Sequence, residues 1–390
     1  GNPPYGASLS KDAIFYISRN LSVFKSIQDI YVAFIGKANS LLRENGKFGF
    51  IIPSAWLGGP RYAELRSSLL ATTIDSIILL PFDVFSEAYI DTALLTTTKN
   101  KPRTTHQVIT YEYPKRERIK AIVTTDLKSH KLLQTAWAET EDQKFVLDAE
   151  TLSVISSIRK KLKTTLQDVI QIKRGVLFDI SLLTKTKTSK SSHKYFKGNI
   201  YRYKTEMITS GWVEYGTKMK EFPKEFKWFH GDRILLRRLV NRQRRLMAST
   251  ISDTVITNKN LYSILNTGNI ALEYVLGILN SKLISRIYLS LVSQATKDDF
   301  PQVTIRDLNT LPFRKIDFSD NEDKKRHDRM VSLVQTMLNL NKQLAGAKTS
   351  HEKTALRRQI DATDRQIDNL VYKLYDLTEK EIAIIEESSK

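Results

Sequence analysis

The sequence predicts an α/β sheet, then a mixed α+β domain, then a C-terminal antiparallel helical pair. Three observations carry this. Helix-period segments alternate with short apolar runs between residues 29 and 113. Residues from about 155 to 315 lose that alternation and hold many short apolar clusters. Two long helical patterns of mixed charge close the chain. In order, Asp29 to Leu42 repeats Ile30, Phe34, Ala38 and Leu41 or Leu42 at helical spacing, and Asn45-Gly46 is expected to end it with a left-handed glycine. Lys47 to Ile52 is a short apolar run stopped by Pro53, and Ile74 to Leu80 is a second, so both read as buried strands. Arg61 to Leu70 reads as a helix between them. Asp91 to Thr98 and Gln107 to Tyr113 read as a late antiparallel pair of strands. From about Ile119 the pattern loosens and turns polar, which predicts a connection. In the second domain Ala271 to Ser285 reads as a helix. Asp323 to Leu344 and Glu352 to Tyr375 are helical, with Ile360, Thr363, Ile367, Leu370 and Leu374 forming the seam of the pair. The expected division is 1–120, a linker over 121–154, a domain over 155–316 and helices over 317–390.

Composition narrows the function. Of 390 residues, 41% are hydrophobic and 26% charged, which suits globular domains. There is no cysteine, so disulfides, thiolate chemistry and cysteine-bound zinc are excluded, and a reducing cytoplasm fits. The six histidines show no metal-ligand spacing, so no metal site is expected. No apolar run approaches the roughly 20 residues of a membrane span. The formal charge of +19 points to a polyanionic partner, most often nucleic acid. The plainer alternative is a set of solvated lysine faces.

The first five residues are Gly1-Asn2-Pro3-Pro4-Tyr5. An amino nitrogen conjugated to a ring is a poor nucleophile because its lone pair is delocalised. Two acceptors aimed at its two hydrogens return the lone pair. The Asn2 side-chain oxygen and the Pro3 carbonyl are a candidate pair. Two prolines fix φ and hold that carbonyl still. Tyr5 offers a flat face for a planar substrate. The alternative is a stiff, disordered terminus.

The run Asp29-Ile30-Tyr31-Val32-Ala33-Phe34-Ile35-Gly36-Lys37-Ala38, with Leu41-Leu42, Asn45-Gly46 and Phe48-Gly49-Phe50-Ile51-Ile52-Pro53, resembles the region after Asn-Pro-Pro-Tyr in γ-order N6-adenine DNA methyltransferases. The likeness is to the TaqI type and the related type IIG restriction–modification enzymes, and it continues through Ala55-Trp56-Leu57, Tyr62 to Arg66 and Val84-Phe85. It implies that the α/β region is the C-terminal half of a Rossmann-like methyltransferase sheet. Asn2, Pro3, Pro4 and Tyr5 would take the target adenine, and Phe85 would stack on the flipped base from the other side. Phe34 would form an apolar wall of the S-adenosylmethionine pocket, or else serve as a core aromatic.

The second domain carries its own likeness. Gln171 to Val176, Glu273 to Leu283, Phe300-Pro301-Gln302-Val303, Leu308 and Leu311-Pro312-Phe313 resemble the target-recognition domain of the same enzymes and of type I specificity subunits. Ile367 to Thr378 resembles the terminal helix of type IIG enzymes. These imply double-stranded DNA as partner and a cytoplasmic protein of a bacterium or archaeon. Lys224, Lys227, Arg233, Arg237, Arg238, Arg242, Arg244 and Arg245 cluster around Trp228 and Phe229, and with Arg174 and Lys297 are the candidate DNA contacts. Most would clamp phosphate and a few would read guanine edges.

The family also carries a glycine-rich cofactor turn, ahead of Asn-Pro-Pro-Tyr. No Gly-x-Gly follows a strand in this sequence, and Gly58-Gly59 sits in an expected loop. The chain is therefore expected to be a fragment, engineered or natural, that needs the N-terminal catalytic half to complete the cofactor pocket. Alone it should bind S-adenosylmethionine weakly and be inactive. An open sheet edge or the helical pair would then serve an oligomer. Glu225-Phe226-Lys227 has the spacing of a nuclease motif without a partner aspartate, so no nuclease is assigned. Two other functions stay open: a non-catalytic, sequence-specific DNA-binding module, and methylation of RNA or of a protein glutamine.

Overall fold

The computed structural model describes residues 1–81, 84–85, 90–113, 119, 121–125, 127, 129–240, 245–291 and 302–387. The chain divides into two compact units, Gly1–Ser157 with Ser290–Gln294, and Ile158–Leu289 with Ala295–Lys390. Among the described residues no helix is long and apolar enough to cross a membrane.

The first unit contains α1 (Lys11–Asn20), α2 (Ile30–Leu41), β1 (Lys47–Pro53), α3 (Ala63–Leu70), β2 (Thr73–Leu79), β3 (Thr92–Thr98), β4 (Gln107–Glu112), β5 (Ser129–Leu133) and α4 (Gln134–Ala138), and α5 (Ala149–Lys161) starts near its end. The strands form one sheet in the order β1-β3-β2-β4-β5. β3 is antiparallel to both neighbours, so β1 and β2 run in the same direction. β4 is parallel to β2 and antiparallel to β5. The expected pairing of the strands at 91–98 and 107–113 is therefore wrong. β3 is instead a central strand, and Thr92, Ala93, Leu95, Thr97 and Thr98 are all buried.

Two other expectations are corrected. α2 ends as expected, but the left-handed residue of the turn is Asn45, with φ 60°, and not Gly46. Asparagine tolerates this region because its short polar side chain can bond locally, and here Asn45 Oδ1 accepts from Asn100 Nδ2 at 3.0 Å. The segment 121–154 is not a loose linker. It supplies β5 and α4, and its Trp137, Phe145 and Val146 are buried. Trp137 stacks on Phe145 at 4.3 Å between ring centres and donates from Nε1 to the Val146 carbonyl at 2.8 Å. Gln134 ties this segment to the sheet, accepting from Ile74 N–H and donating to the Thr72 carbonyl.

The second unit contains β6 (Ile170–Arg174), β7 (Ser192–Tyr201), β8 (Lys204–Glu214), β9 (Arg233–Arg237), β10 (Ala248–Ile251), β11 (Val255–Ile256) and β12 (Leu261–Asn266). Four of these form a sheet in the order β10-β9-β12-β6, and three form a second in the order β11-β7-β8. Phe196 and Ile200 of β7 pack with Leu235, Ile251, Val255 and Leu261 in a core between the two sheets. Helices follow: α6 (Leu272–Asn280), α7 (Lys282–Leu291), α8 (Ile305–Asn309), α9 (Asn321–Gly346), α10 (Ser350–Leu374) and α11 (Glu379–Glu387). The single helix expected over 271–285 is broken at Ser281, whose Oγ bonds the Ile278 carbonyl and accepts from Ile284 N–H. Three residues join α9 to α10, and Arg329 near the start of one donates to Gln366 near the end of the other, so they run antiparallel.

Candidate functional site

The Asn-Pro-Pro-Tyr segment is anchored to β1. The Gly1 nitrogen donates to the Gly49 carbonyl at 2.5 Å, and Ile51 N–H donates to the Gly1 carbonyl at 2.9 Å. This is the pattern of a parallel bridge between Gly1 and Phe50. It occupies the edge of β1 that β3 leaves open, because residues 49 and 51 point away from residues 48, 50 and 52. The next parallel rung would need an N–H at residue 3, which Pro3 lacks, so the ladder stops and the chain turns away. Pro3 is buried, Asn2 and Pro4 are exposed, and Tyr5 is half-buried.

The turn after the motif is held by a residue that the sequence marked only as a helix start. Gly6 sits at φ 69°, in the left-handed region, and its N–H donates to Asp29 Oδ1 at 3.2 Å. Asp29 stands at the N-cap of α2 yet makes no side-chain capping bond there. Asp29 stands 23 residues from Gly6 in the sequence, so no local signal links it to this turn.

Strand direction places the motif at the carboxyl end of β1. Phe85 lies six residues beyond the end of β2, and it is half-buried. The carboxyl ends of β1 and β2 meet at Thr92, which pairs with Pro53 and whose carbonyl accepts from Leu80 N–H at 3.1 Å. Motif and Phe85 therefore belong to the same end of the sheet, where open α/β sheets hold their ligands. Phe34 is not a core aromatic. It is 43% exposed, whereas Tyr31, Val32, Ala33 and Ile35 of the same helix are buried.

The candidate DNA contacts divide into three groups. Arg233 and Arg245 are structural. Arg233 is fully buried, and its guanidinium donates to the Gly231, Asp253 and Val255 carbonyls at 2.8, 3.0 and 3.3 Å. Burial lowers its pKa to about 10. Arg245 donates to the Asn280 carbonyl at 2.6 Å and lies 3.8 Å from the buried Asp368, whose pKa burial raises to about 6. Both guanidiniums are largely buried and directed at backbone carbonyls, which corrects their assignment as DNA contacts. Burial selects both for satisfying interior carbonyls.

Arg174, Lys224, Lys227, Arg237 and Arg238 remain at or near the surface. Lys227 pairs with Glu225 at 2.6 Å and lies over the Trp228 ring. Arg174 donates to the Lys259 carbonyl and pairs with Glu221 at 3.3 Å. Arg238 bonds Gln302 Oε1, and Arg237 is half-buried at the end of β9. Burial raises the pKa of the Tyr262 hydroxyl, and the charges of Arg238 and Arg174 oppose that rise. Tyr262 is the cross-strand partner of Arg174. Arg242, Arg244 and Lys297 lie outside the described residues. Among the described residues no cluster could hold a metal ion.

A variant separates the structural role of Arg233 from a DNA contact. Arg233→Ala should destabilise the fold by about 3 kcal/mol, because three interior carbonyls lose their donor. The dependence of duplex binding on salt should not change. Loss of a phosphate contact would instead lower that log–log slope by about 0.9. Chemical denaturation and salt titration of the same variant check both.

Residues 1–85 match the Eco57I restriction-modification methylase family, and residues 193–313 match the TaqI-like C-terminal specificity domain. RM.MjaORFECS2P of Methanocaldococcus jannaschii, described as a type II restriction enzyme and methyltransferase, is 34% identical over 323 residues. That alignment covers 80% of this chain and 27% of the relative. The type II methyltransferase M.TthHB8I of Thermus thermophilus is 38% identical over 78 residues, 18% of this chain and 18% of that one. This chain thus spans about a quarter of the length of the first relative and under a fifth of the second. The DNA-bound type IIL restriction-modification enzyme MmeI superposes with a TM-score of 0.63 over 100% of this chain and 56% of that one. At 11% identity that likeness concerns the fold alone.

Proposed function

We propose, for a chain that belongs to the restriction–modification methyltransferases, that it supplies the amine grip and the recognition domain of a site-specific enzyme. That enzyme, of the type II or IIG kind, methylates N6 of adenine in duplex DNA. The observation that supports this most is the parallel bridge from Gly1 to Phe50, which delivers Asn2 and the Pro3 carbonyl to the carboxyl end of the sheet.

The chemistry follows from the residues. Asn2 Oδ1 and the Pro3 carbonyl accept the two N–H bonds of the exocyclic amine. This draws the nitrogen toward tetrahedral geometry and makes its lone pair available. Neither acceptor is basic enough to keep a proton, so the proton lost on methylation passes to solvent. Tyr5 and Phe85 stack on the extruded base and restore part of the few kcal/mol lost when it leaves the duplex. S-adenosylmethionine, when bound, supplies an electrophilic methyl group. Phe34, an exposed aromatic on an otherwise buried stretch of helix, fits an apolar wall for it. The second unit holds the duplex, and the half-exposed guanidiniums of Arg174, Arg237 and Arg238 suit phosphate or a guanine edge.

The test is methyl transfer by the complete protein to plasmid duplex and to RNA at one fixed salt concentration, since salt sets nucleic-acid affinity. Duplex DNA should be methylated and RNA not. Preferential methylation of RNA would overturn the proposal.

A further inference from the structure

The stretch from Ile180 to Thr205 holds Lys185, Lys187, Lys190, Lys194, Lys197, Arg202 and Lys204, and no aspartate or glutamate in 26 residues. Its fold turns most of this charge outward. Lys185, Lys187, Lys190, Lys194 and Lys197 are exposed. Arg202, tied inward to Asp364, and the half-buried Lys204 are the exceptions.

β7 and β8 form a long antiparallel ribbon with a bulge between Lys194 and Phe196. One face is spent on the core through Phe196 and Ile200. Alternation puts the cross-strand pairs Lys197–Ile208, Asn199–Glu206 and Tyr201–Lys204 on the opposite face. On that face Ile208 is 66% exposed, which is unusual for a β-branched residue in mid-strand. Lys194 pairs with Trp212, and Lys187 lies 5.8 Å from the centre of the Trp212 ring. Glu206 is neutralised by Lys204. The segment carrying Lys185 and Lys187 is fastened to the ribbon by reciprocal backbone bonds between Thr184 and Trp212, both 2.8 Å. Gly211, at φ 131°, permits this, because a Cβ there would lie 2.5 Å from the Thr184 carbonyl oxygen.

We propose that this outward ribbon face enters the major groove of duplex DNA, with Ile208 against a base edge such as a thymine methyl. Lys185, Lys187, Lys190, Lys194 and Lys197 would then bear on the flanking phosphates. A two-stranded ribbon matches the width of that groove, and apolar side chains read the methyl group there. Charge complementarity selects the occupant. An exposed isoleucine with Lys197 as its cross-strand partner, on a ribbon rich in exposed lysine, suits a polyanion with apolar base edges, not a protein surface. This inference rests on the reading that the second unit recognises duplex DNA, and it names the element that does so.

The test uses the complete protein, a labelled random-sequence 30-base-pair duplex, and salt from about 50 to 300 mM. Lys194→Gln with Lys197→Gln should lower the log–log salt slope by about 1.8 and weaken binding at least about tenfold. Ile208→Ala should keep the slope, and its selected target sequences should lose about fivefold or more of the preference at one position. All three residues are exposed, so melting temperature should not move. Unchanged slope and unchanged preference, in a protein that still binds duplex, would overturn this inference alone. Equal affinity for single-stranded DNA would also overturn it, since no groove is then read. A wild type that binds no duplex would overturn the functional reading as well.

Discussion

Asn2→Ala is expected to lower the rate of methyl transfer about 10²–10³-fold, the effect of removing one placed polar partner from a charge-developing centre. Asn2 is exposed, and the bonds that anchor its segment come from the Gly1 backbone, so the substitution should leave the fold intact. The Pro3 carbonyl remains in place, which is why a residual rate is expected. Duplex affinity should hardly change, because the loss falls on the chemical step and not on the groove contacts. Single-turnover methylation by the complete protein, alongside duplex binding, separates the two. A variant that retains more than about a tenth of the rate would remove Asn2 from the chemistry.

Arg66→Ala is expected to have the largest effect on stability in the first unit. Arg66 is fully buried. Its Nη1 donates to the Trp56 and Gly59 carbonyls at 2.7 and 2.8 Å, and its Nε and Nη2 donate to the Asp142 carbonyl at 3.0 and 2.8 Å. One planar group thus joins α3 to the turn after β1 and to the turn at 141–143. That second turn is intrinsically costly, because Asp142 and Gln143 both sit at φ 53°. Truncation strands three carbonyls and frees the turn, at a cost of about 3–5 kcal/mol. The melting temperature should fall by roughly 10 °C. Arg66→Lys should recover little, because a point charge cannot serve three acceptors fixed around a planar fork. Thermal melting of the two variants checks this, and an alanine variant melting within about 2 °C of wild type would contradict it.

The catalytic-side elements were legible because their signals are local. Phe50-Ile51-Ile52 before Pro53 and Ile77-Ile78-Leu79-Leu80 before Pro81 are apolar and sharply stopped, so β1 and β2 could be read directly. Strand order could not, since nothing local says that β3 inserts between β1 and β2. The burial of 121–154 is not legible in the sequence for a related reason. β5 is polar, with Leu132 its one buried residue, and Trp137 and Phe145 follow no regular period. Its burial arises from tertiary packing, which periodicity does not report.

Charge was legible in amount but not in direction. Arg233 opens β9, whose first four residues are all buried, and the Gly231 turn beside it takes one of its bonds. Counting basic residues over 224–245 could not tell such an interior donor from a surface contact. The acid-free stretch over 180–205 is equally countable in the sequence, but that most of its lysines face outward is seen only in the fold of β7 and β8. The motif at residues 2–5 suggests an amine grip from the sequence alone, while Asp29, which holds the turn behind it, becomes visible only through the bond to Gly6.

If Asn2 and Pro3 hold an exocyclic amine, the transferred methyl group must sit on that nitrogen. The most direct measurement is the identity of the methylated nucleoside in DNA modified by the complete protein, by enzymatic digestion and mass spectrometry, with and without Asn2→Ala. N6-methyldeoxyadenosine that disappears in the variant is the expected result. A methyl group on carbon, or N6-methyldeoxyadenosine at wild-type level in the variant, would contradict it.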